Sequence, residues 1–281
     1  MSVLAIEGLR LAIGETPILR GVDLAVERNC VHGLVGESGA GKTMVGKAIV
    51  NALPEAARIT AGAIRFDGRD LIAMTGRARR RLMGRAIAMI LQNPMTALNP
   101  VIRIGDQMAD ILAYHLEVSR RGAAARAAAM LAAVHIRDPE RVMRLYPHEL
   151  SGGMCQRVVI ALAFACEPRL IVADEPTTAL DVTVQYRVLR LLKEMQARTQ
   201  SAVLFITHDL GVVAKLCDEV SVMFAGRIVE SAAVADLFAH PRHDYTAALL
   251  AATPRYDRPA STLTPIPDAL RARLLQEAER V

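Results

Sequence analysis

Gly36-Glu37-Ser38-Gly39-Ala40-Gly41-Lys42-Thr43 follows the apolar run Val31-His32-Gly33-Leu34-Val35. It leads into Met44-Val45-Gly46-Lys47-Ala48-Ile49-Val50, a stretch able to form a helix. Strand, glycine loop and helix in that order are the context that a phosphate-binding loop requires. Glycines let successive backbone N–H groups turn inward with no Cβ in the way, and the first turn of the helix adds the positive end of its dipole. Lys42 supplies a mobile ammonium for β- and γ-phosphates, and Thr43 offers a hydroxyl to Mg²⁺. Lysine is scarce here, occurring only as Lys42, Lys47, Lys193 and Lys215. Composition alone therefore does not place one in this motif, and the stretch reads as a nucleoside-triphosphate site.

The 281 residues suffice for one large domain or two small ones with a sizeable core. Hydrophobic residues make up 52%, aromatics only 4%, and tryptophan is absent, so the core should be aliphatic. No apolar run approaches the roughly 18–20 residues that cross a bilayer. Met1-Ser2-Val3-Leu4-Ala5-Ile6-Glu7 lacks a basic region and a long apolar core, so a secretory signal is not expected. Cys30, Cys155, Cys166 and Cys217 are widely spread without C-x-x-C spacing, which points to reduced thiols rather than a metal centre. The net charge of +5 permits an anionic ligand or an acidic partner without requiring nucleic acid.

Residues 3–7 and 24–26 read as strands of an antiparallel β-layer, with a turn at Gly14-Glu15-Thr16-Pro17. Leu53-Pro54 is expected to end the helix after the loop. Residues 63–69 read as a strand into a turn, Arg77-Ala78-Arg79-Arg80-Arg81 as a solvated helix face, and residues 87–91 as a short buried strand running into Gln92. The texture then changes. Asn93-Pro94 and Asn99-Pro100 mark turns; Ile104, Met108, Ile111 and Leu112 share a helix face; and Ser119 can cap an alanine-rich helix through Val134. This reads as an inserted helical subdomain over residues 93–150. From Ser151 onward helices and strands alternate again: helices near 152–166, 182–198 and 210–216, strands at 170–173, 203–206, 220–223 and 227–230. That rhythm implies an α/β fold with a mainly parallel sheet. The expected division is 1–92 and 151–256 as nucleotide-binding core, 93–150 as helical subdomain, and 257–281 as a tail. The tail starts within a Pro/Thr/Ser-rich stretch beyond Pro254 and ends in a charged helix over 268–280.

A second set of residues narrows the chemistry. Leu150-Ser151-Gly152-Gly153-Met154 puts a hydroxyl and two glycines at the head of a helix, a second anion-binding terminus. Leu170-Ile171-Val172-Ala173-Asp174-Glu175 is a buried strand ending in two carboxylates, costly unless charge is needed there. Asp174 suits Mg²⁺ held through water, and Glu175 suits polarising an attacking water. Thr178-Ala179-Leu180-Asp181 follows, and His208 stands at the C-terminal end of another strand, where open α/β sheets bind ligands.

In this order the pieces resemble the nucleotide-binding subunits of ABC transporters, across residues 1 to about 256. The resemblance implies a P-loop ABC ATPase fold, with Walker A at 36–43, a Q-loop at Gln92 that also serves Mg²⁺, a signature at 150–154, Walker B at 170–175, a D-loop at 178–181 and a switch histidine at His208. Gln92-Asn93-Pro94-Met95-Thr96-Ala97-Leu98-Asn99-Pro100, Tyr146-Pro147-His148-Glu149-Leu150, the run Asp174 to Thr183 and His240-Pro241-Arg242-His243-Asp244-Tyr245-Thr246 look like oligopeptide, dipeptide and nickel importer ATPases. By that resemblance ATP and Mg²⁺ are the cofactors, and each ATP lies between the P-loop of one cassette and Ser151, Gly152 and Gly153 of another. The second cassette is expected to be a related but different subunit. Two membrane permeases and an extracytoplasmic solute-binding protein complete the assembly, with this chain peripheral on the cytoplasmic face and a permease helix received by the helical subdomain. Two departures stand out. Ile13 falls where many relatives carry an adenine-stacking aromatic, and no cysteine follows Cys217 where peptide importers often have several, which leans toward nickel or another small solute. The alternative is an ABC ATPase acting on nucleic acid or ribosomes, but the single cassette without sustained heptads disfavours it.

Overall fold

The computed structural model describes residues 2–178, 181–253 and 267–279. Ala179 and Leu180 of the expected D-loop, and most of the Pro/Thr/Ser-rich stretch, lie outside the described residues. The chain packs as two compact units, residues 1–73 with 204–281, and residues 74–203.

In the first unit β1 (Ser2–Ile13), β2 (Thr16–Glu27), β4 (Ala57–Phe66) and the short β5 (Arg69–Asp70) form an antiparallel sheet in the order β2-β1-β4-β5. Between β2 and β4 lie β3 (Val31–Val35) and α1 (Lys42–Val50). β1 and β2 are longer than the alternation of residues 3–7 and 24–26 indicates, and the reason is a bulge. Leu4 and Ile6 face the core, then Leu9 and Leu11 do, because the pairing slips between Ile6↔Leu24 and Leu9↔Val22. A slip of one residue turns every later side chain over, so a strand with a bulge hides its period of two. α1 ends earlier than Pro54 suggests: Asn51 adopts a left-handed conformation (φ 59°) and donates its N–H to the last turn.

The second unit carries the helical stretch. α2 (Gly76–Leu82) is capped by Thr75, and its Arg77, Arg80 and Arg81 are exposed as a solvated face requires, while Arg79 is buried. β6 (Ile87–Ile90) follows, then α3 (Pro94–Ala97), α4 (Ile104–Leu116), α5 (Arg120–Ala133) and α6 (Pro139–Arg144). α4 packs on α5 and buries Ile104, Met108 and Leu112, with Ile111 half-buried. α5, capped by Ser119 as expected, buries Ala123, Ala127, Met130 and Leu131, a spacing of four, three and one that makes one apolar stripe. α7 (Gly152–Phe164), β7 (Leu170–Asp174) and α8 (Val182–Thr199) complete this unit, with β6 and β7 paired in parallel.

β8 (Ala202–Thr207) runs across the chain boundary into the first unit, followed by α9 (Leu210–Leu216), β9 (Glu219–Phe224), β10 (Arg227–Ala233), α10 (Val234–Ala239), α11 (Asp244–Ala252) and α12 (Asp268–Glu279). Strand order here is β10-β9-β3-β8, with β3 parallel to β9 and β10 antiparallel to it. All five residues of β3 are buried, including His32. Its Nε2 lies 2.8 Å from Ser221 Oγ and its Nδ1 3.2 Å from Glu219 Oε2, both on β9.

Burial lowers the His32 pKa from its ordinary 6.5, opposed by the Glu219 carboxylate. A folded pKa below the unfolded value means the unfolded chain binds more protons as pH falls. The stability tied to a neutral His32 is therefore complete above about 6.5 and drains away on acidification. His32→Gln should lose less melting temperature than the natural protein between about pH 7.5 and pH 5.5. Parallel thermal scans check it, and identical pH dependence would reject the assignment.

Candidate nucleotide site

β3 delivers the glycine loop directly from the core, and the loop's geometry follows from what surrounds it. A Cβ on Gly36 would meet the Met223 carbonyl oxygen at 2.1 Å, so the backbone can pass only without a side chain. Gly41 has φ +102°, in the left-handed region, and caps α1 with no side-chain hydrogen bond. By contrast Ser151, Asp181 and Asp209 each cap their helices through the side chain. An oxygen at the cap of α1 would compete with an incoming anion for the first-turn N–H groups. Ser38 and Gly39 are exposed, Ala40 is buried and Thr43 is half-buried.

Lys42 is 5% exposed, and its ammonium donates to the carbonyls of Gly36 and Glu37, both at 2.8 Å. The loop thus carries its cation folded against its own backbone. The Glu37 carbonyl also accepts from the Ala40 N–H at 3.2 Å, and the Ala40 carbonyl accepts from Gly226 N–H at 3.0 Å.

In the second unit the parallel ladder pairs Ile90 with Ala173. Gln92 and Glu175 each lie two residues beyond that pair, at the same end of their strands. Gln92 Nε2 donates to Glu175 Oε2 at 3.2 Å, and Thr178 Oγ1 donates to the same oxygen at 2.9 Å. Glu175 has φ 46°, a left-handed conformation that costs a non-glycine residue about 1–3 kcal/mol. Asp174, the preceding residue, is 6% exposed at the end of fully buried β7. Gln156 of α7 steadies the next turn by donating to the Pro176 carbonyl at 2.8 Å.

The signature residues are arranged differently. Ser151 Oγ accepts the Met154 N–H at 3.3 Å and is exposed. A Cβ built on Gly152 meets nothing within 4 Å among the described residues, and one on Gly153 meets only Val184 Cγ1 at 3.3 Å. The packing of this chain does not demand a glycine at 152. Asp181 caps α8 by accepting from Val184 N–H at 2.9 Å. His208 is exposed just past β8, and Ile13, the last residue of β1, is 37% exposed opposite Thr16 and Ala57. The donors expected for Mg²⁺, a hydroxyl on Thr43, a carboxylate on Asp174 and an amide on Gln92, are all oxygen ligands, as a hard cation prefers.

Sequence reading missed three partners. Thr178 is within the expected D-loop, but its bond to Glu175 depends on a turn that no local pattern announces. Tyr245 and Arg271 both reach Glu37, from 208 and 234 residues away. Tyr245 belongs to a motif string, which carried a family likeness but no contact; for Arg271 no signal existed.

The family model described as "ABC transporter" matches residues 19–178. The chain belongs to the ABC transporter family. It is an ATP-binding subunit, an ATPase coupled to transport. The model described as "Oligopeptide/dipeptide transporter, C-terminal region" matches residues 229–277 of this ABC subunit. The probable D,D-dipeptide transport ATP-binding protein DdpD of Escherichia coli K12 is 48% identical over 270 residues, covering 94% of this chain and 82% of that one. The dipeptide transport ATP-binding protein DppD of Bacillus subtilis is 43% identical over 269 residues, covering 94% and 80%. Among solved structures, cbiO1 of Clostridium perfringens, part of the ABC transporter complex cbiONQ, superposes with a TM-score of 0.74 at 25% identity, covering 85% of this chain and 91% of that one. These likenesses bear out the ABC ATPase fold and lend nothing to the nucleic-acid alternative.

Two glycine substitutions should separate the two motifs. Gly36→Ala forces the loop off the Met223 carbonyl and should abolish the ATP-dependent rise in melting temperature. Gly152→Ala has room and should leave both the melting temperature and that rise intact. Thermal shift with and without Mg-ATP reads both.

Proposed function

We propose that this chain is the ATP-hydrolysing subunit of an importer for di- or oligopeptides, working from the cytoplasmic face of the membrane. The observation that carries the catalytic reading is Glu175, held in a strained backbone conformation at the end of a buried strand by Gln92 and Thr178. Strain of this kind persists where surrounding contacts over-determine it, and a carboxylate so fixed is suited to orient water. The peptide reading rests on the C-terminal match over residues 229–277 and on the transport roles carried in the relatives' names. Nickel, favoured by the missing cysteines, has no such support.

In this reading the loop from Gly36 to Thr43 binds the phosphates of ATP through the Lys42 ammonium and through those of its N–H groups that Tyr245 and the Glu37 carbonyl do not already hold. Glu175 takes a proton from the attacking water as the bond from the γ-phosphorus to the bridging oxygen breaks, giving ADP and phosphate. Gln92 senses the reacting phosphate from the other end of its bond to Glu175, and His208 contacts it. Thr43, Asp174 and Gln92 hold Mg²⁺, which when bound neutralises charge on the phosphates. Ile13 lies against the adenine with aliphatic contact in place of an aromatic face.

Ser151, Gly152 and Gly153 serve the ATP of a second cassette, a related but different subunit, and Asp181 lies in the loop beside it. The spare space at Gly152 supports this, because a glycine that the chain's own packing does not need suits the close approach of a phosphate. ATP then bridges two helix N-termini, and hydrolysis removes the bridge. Two permeases and an extracytoplasmic solute-binding protein complete the importer. Among the described residues no helix is long and apolar enough to cross a membrane. Among the described residues Met95, Val101, Ile102, Tyr114 and Val118, five of the eight exposed large apolar side chains, fall between 95 and 118, where a permease helix would dock.

Glu175→Gln should bind Mg-ATP as tightly as the natural chain and lose at least about a hundredfold in turnover, since general-base assistance is worth that much. Phosphate release from the reconstituted importer measures this, and near-normal release in the mutant would remove Glu175 from the role. In the same assay, solute-binding protein loaded with a dipeptide should stimulate hydrolysis where Ni²⁺ does not. Ile13→Tyr should tighten ATP binding by about tenfold at most, the worth of one stacking contact, with little change in maximal rate. Unchanged affinity in Ile13→Tyr would place another side chain over the base.

A further inference from the structure

Every polar group of Glu37, the second residue of the phosphate loop, is engaged, and half of its partners come from the C-terminal region. Its carbonyl holds the Lys42 ammonium and the Ala40 N–H on the loop side. On the other side its backbone N–H donates to Tyr245 Oη at 3.3 Å, and its carboxylate pairs with the Arg271 guanidinium of α12. Tyr245 is a fixed post. Its side chain is wholly buried on α11, with its ring centroid 4.5 Å from that of Phe224 at the end of β9. Burial, and then the Glu37 charge, push its phenol up to about 12, so it remains a neutral hydroxyl. α12 is anchored a second time, to α11, where Arg273 Nη2 donates to Asp244 Oδ2 at 2.6 Å, and it buries Leu274 on the turn after Arg271.

The arrangement has an electrostatic consequence. A carboxylate within the loop that must accept a triphosphate opposes binding, and its influence reaches roughly a Debye length, about 8–10 Å. Arg271 cancels that charge at its source. It also fixes the residue whose carbonyl sets where the Lys42 ammonium rests.

We infer that Arg271 is a positioning residue for the phosphate loop, so that the C-terminal helix α12 sets the nucleotide affinity of the subunit by holding and neutralising Glu37. This rests on the loop being the ATP site, and it assigns to the tail a task in the nucleotide cycle. α12 acts from behind the loop, through Glu37 to Lys42, and makes no contact with the reacting atoms.

The test compares full-length wild type, Arg271→Ala, Arg271→Lys and Arg271→Glu, with Lys42→Ala as reference. Mg-ATP dissociation constants are measured on the purified chain, and KM and kcat in the reconstituted importer. Arg271→Ala should raise Kd and KM together by about two- to fivefold, the scale of one exposed charge contact, with kcat unchanged within error. Arg271→Lys should recover most of the affinity, Arg271→Glu should be weaker than Arg271→Ala, and the differences should shrink at about 0.5 M salt. Melting temperatures without nucleotide should match wild type. The inference fails if Arg271→Ala binds Mg-ATP normally, if Arg271→Lys is as weak as Arg271→Ala, or if weakened binding merely follows a lowered melting temperature. A Lys42→Ala chain that binds Mg-ATP as tightly as wild type is a separate result: it overturns the ATP assignment of the loop, and this inference with it.

Discussion

Carrying charge at the end of a buried strand is the constraint around which this protein is built. β3 and β7 are each five buried residues, and the loop with Lys42 and the turn with Glu175 begin where their backbones stop. A buried strand holds its last residue rigidly, because side chains on both faces and hydrogen bonds along both edges fix it. The same burial makes an unpaired charge there expensive. Lys42 meets the problem with two backbone carbonyls at 2.8 Å, and Glu175 meets it with an amide and a hydroxyl. In each case the partners are groups that a nucleotide or a water can displace or join, which keeps the charge available.

The two strand ends do different work, and their backbones reflect it. The loop after β3 ends in a helix cap that offers no side chain, which leaves the first turn of α1 without a side-chain oxygen to compete with an anion. The turn after β7 is closed by side chains, and its glutamate sits at a φ that costs about 1–3 kcal/mol. A phosphate cradle would need freedom from side chains, whereas a general base would need one side chain held still; glycine after β3 suits the first and a strained glutamate after β7 suits the second.

Gly152 and Glu37 show how far the meaning of a motif residue depends on what lies beyond it. Gly152 has space around it that this chain leaves unused, which suits a function completed by another subunit. Glu37 is held through its backbone and its carboxylate by its own chain, including a helix near the C-terminus. A variable position of a glycine loop has thus become the point where the tail takes hold.

The sequence by itself determined the α/β class, the loop at 36–43, the carboxylates at 174 and 175, the caps at Ser119 and Ser151, and the family. Those features are local: each is a run of neighbours whose spacing carries its own physical reason, such as a glycine beside a lysine or a hydroxyl before a helix. Only the tertiary structure decided the lengths of β1 and β2, whose bulge hides the alternation, and the end of α1 at Asn51 rather than near Pro54. It alone placed Gln92 and Thr178 on one oxygen of Glu175, because Gln92 arrives through the register of two parallel strands far apart in sequence and Thr178 through the turn that follows β7. It alone brought Arg271 to Glu37. An arginine in a charged helix looks like any solvated arginine until packing, which no local pattern encodes, lays that helix against the loop.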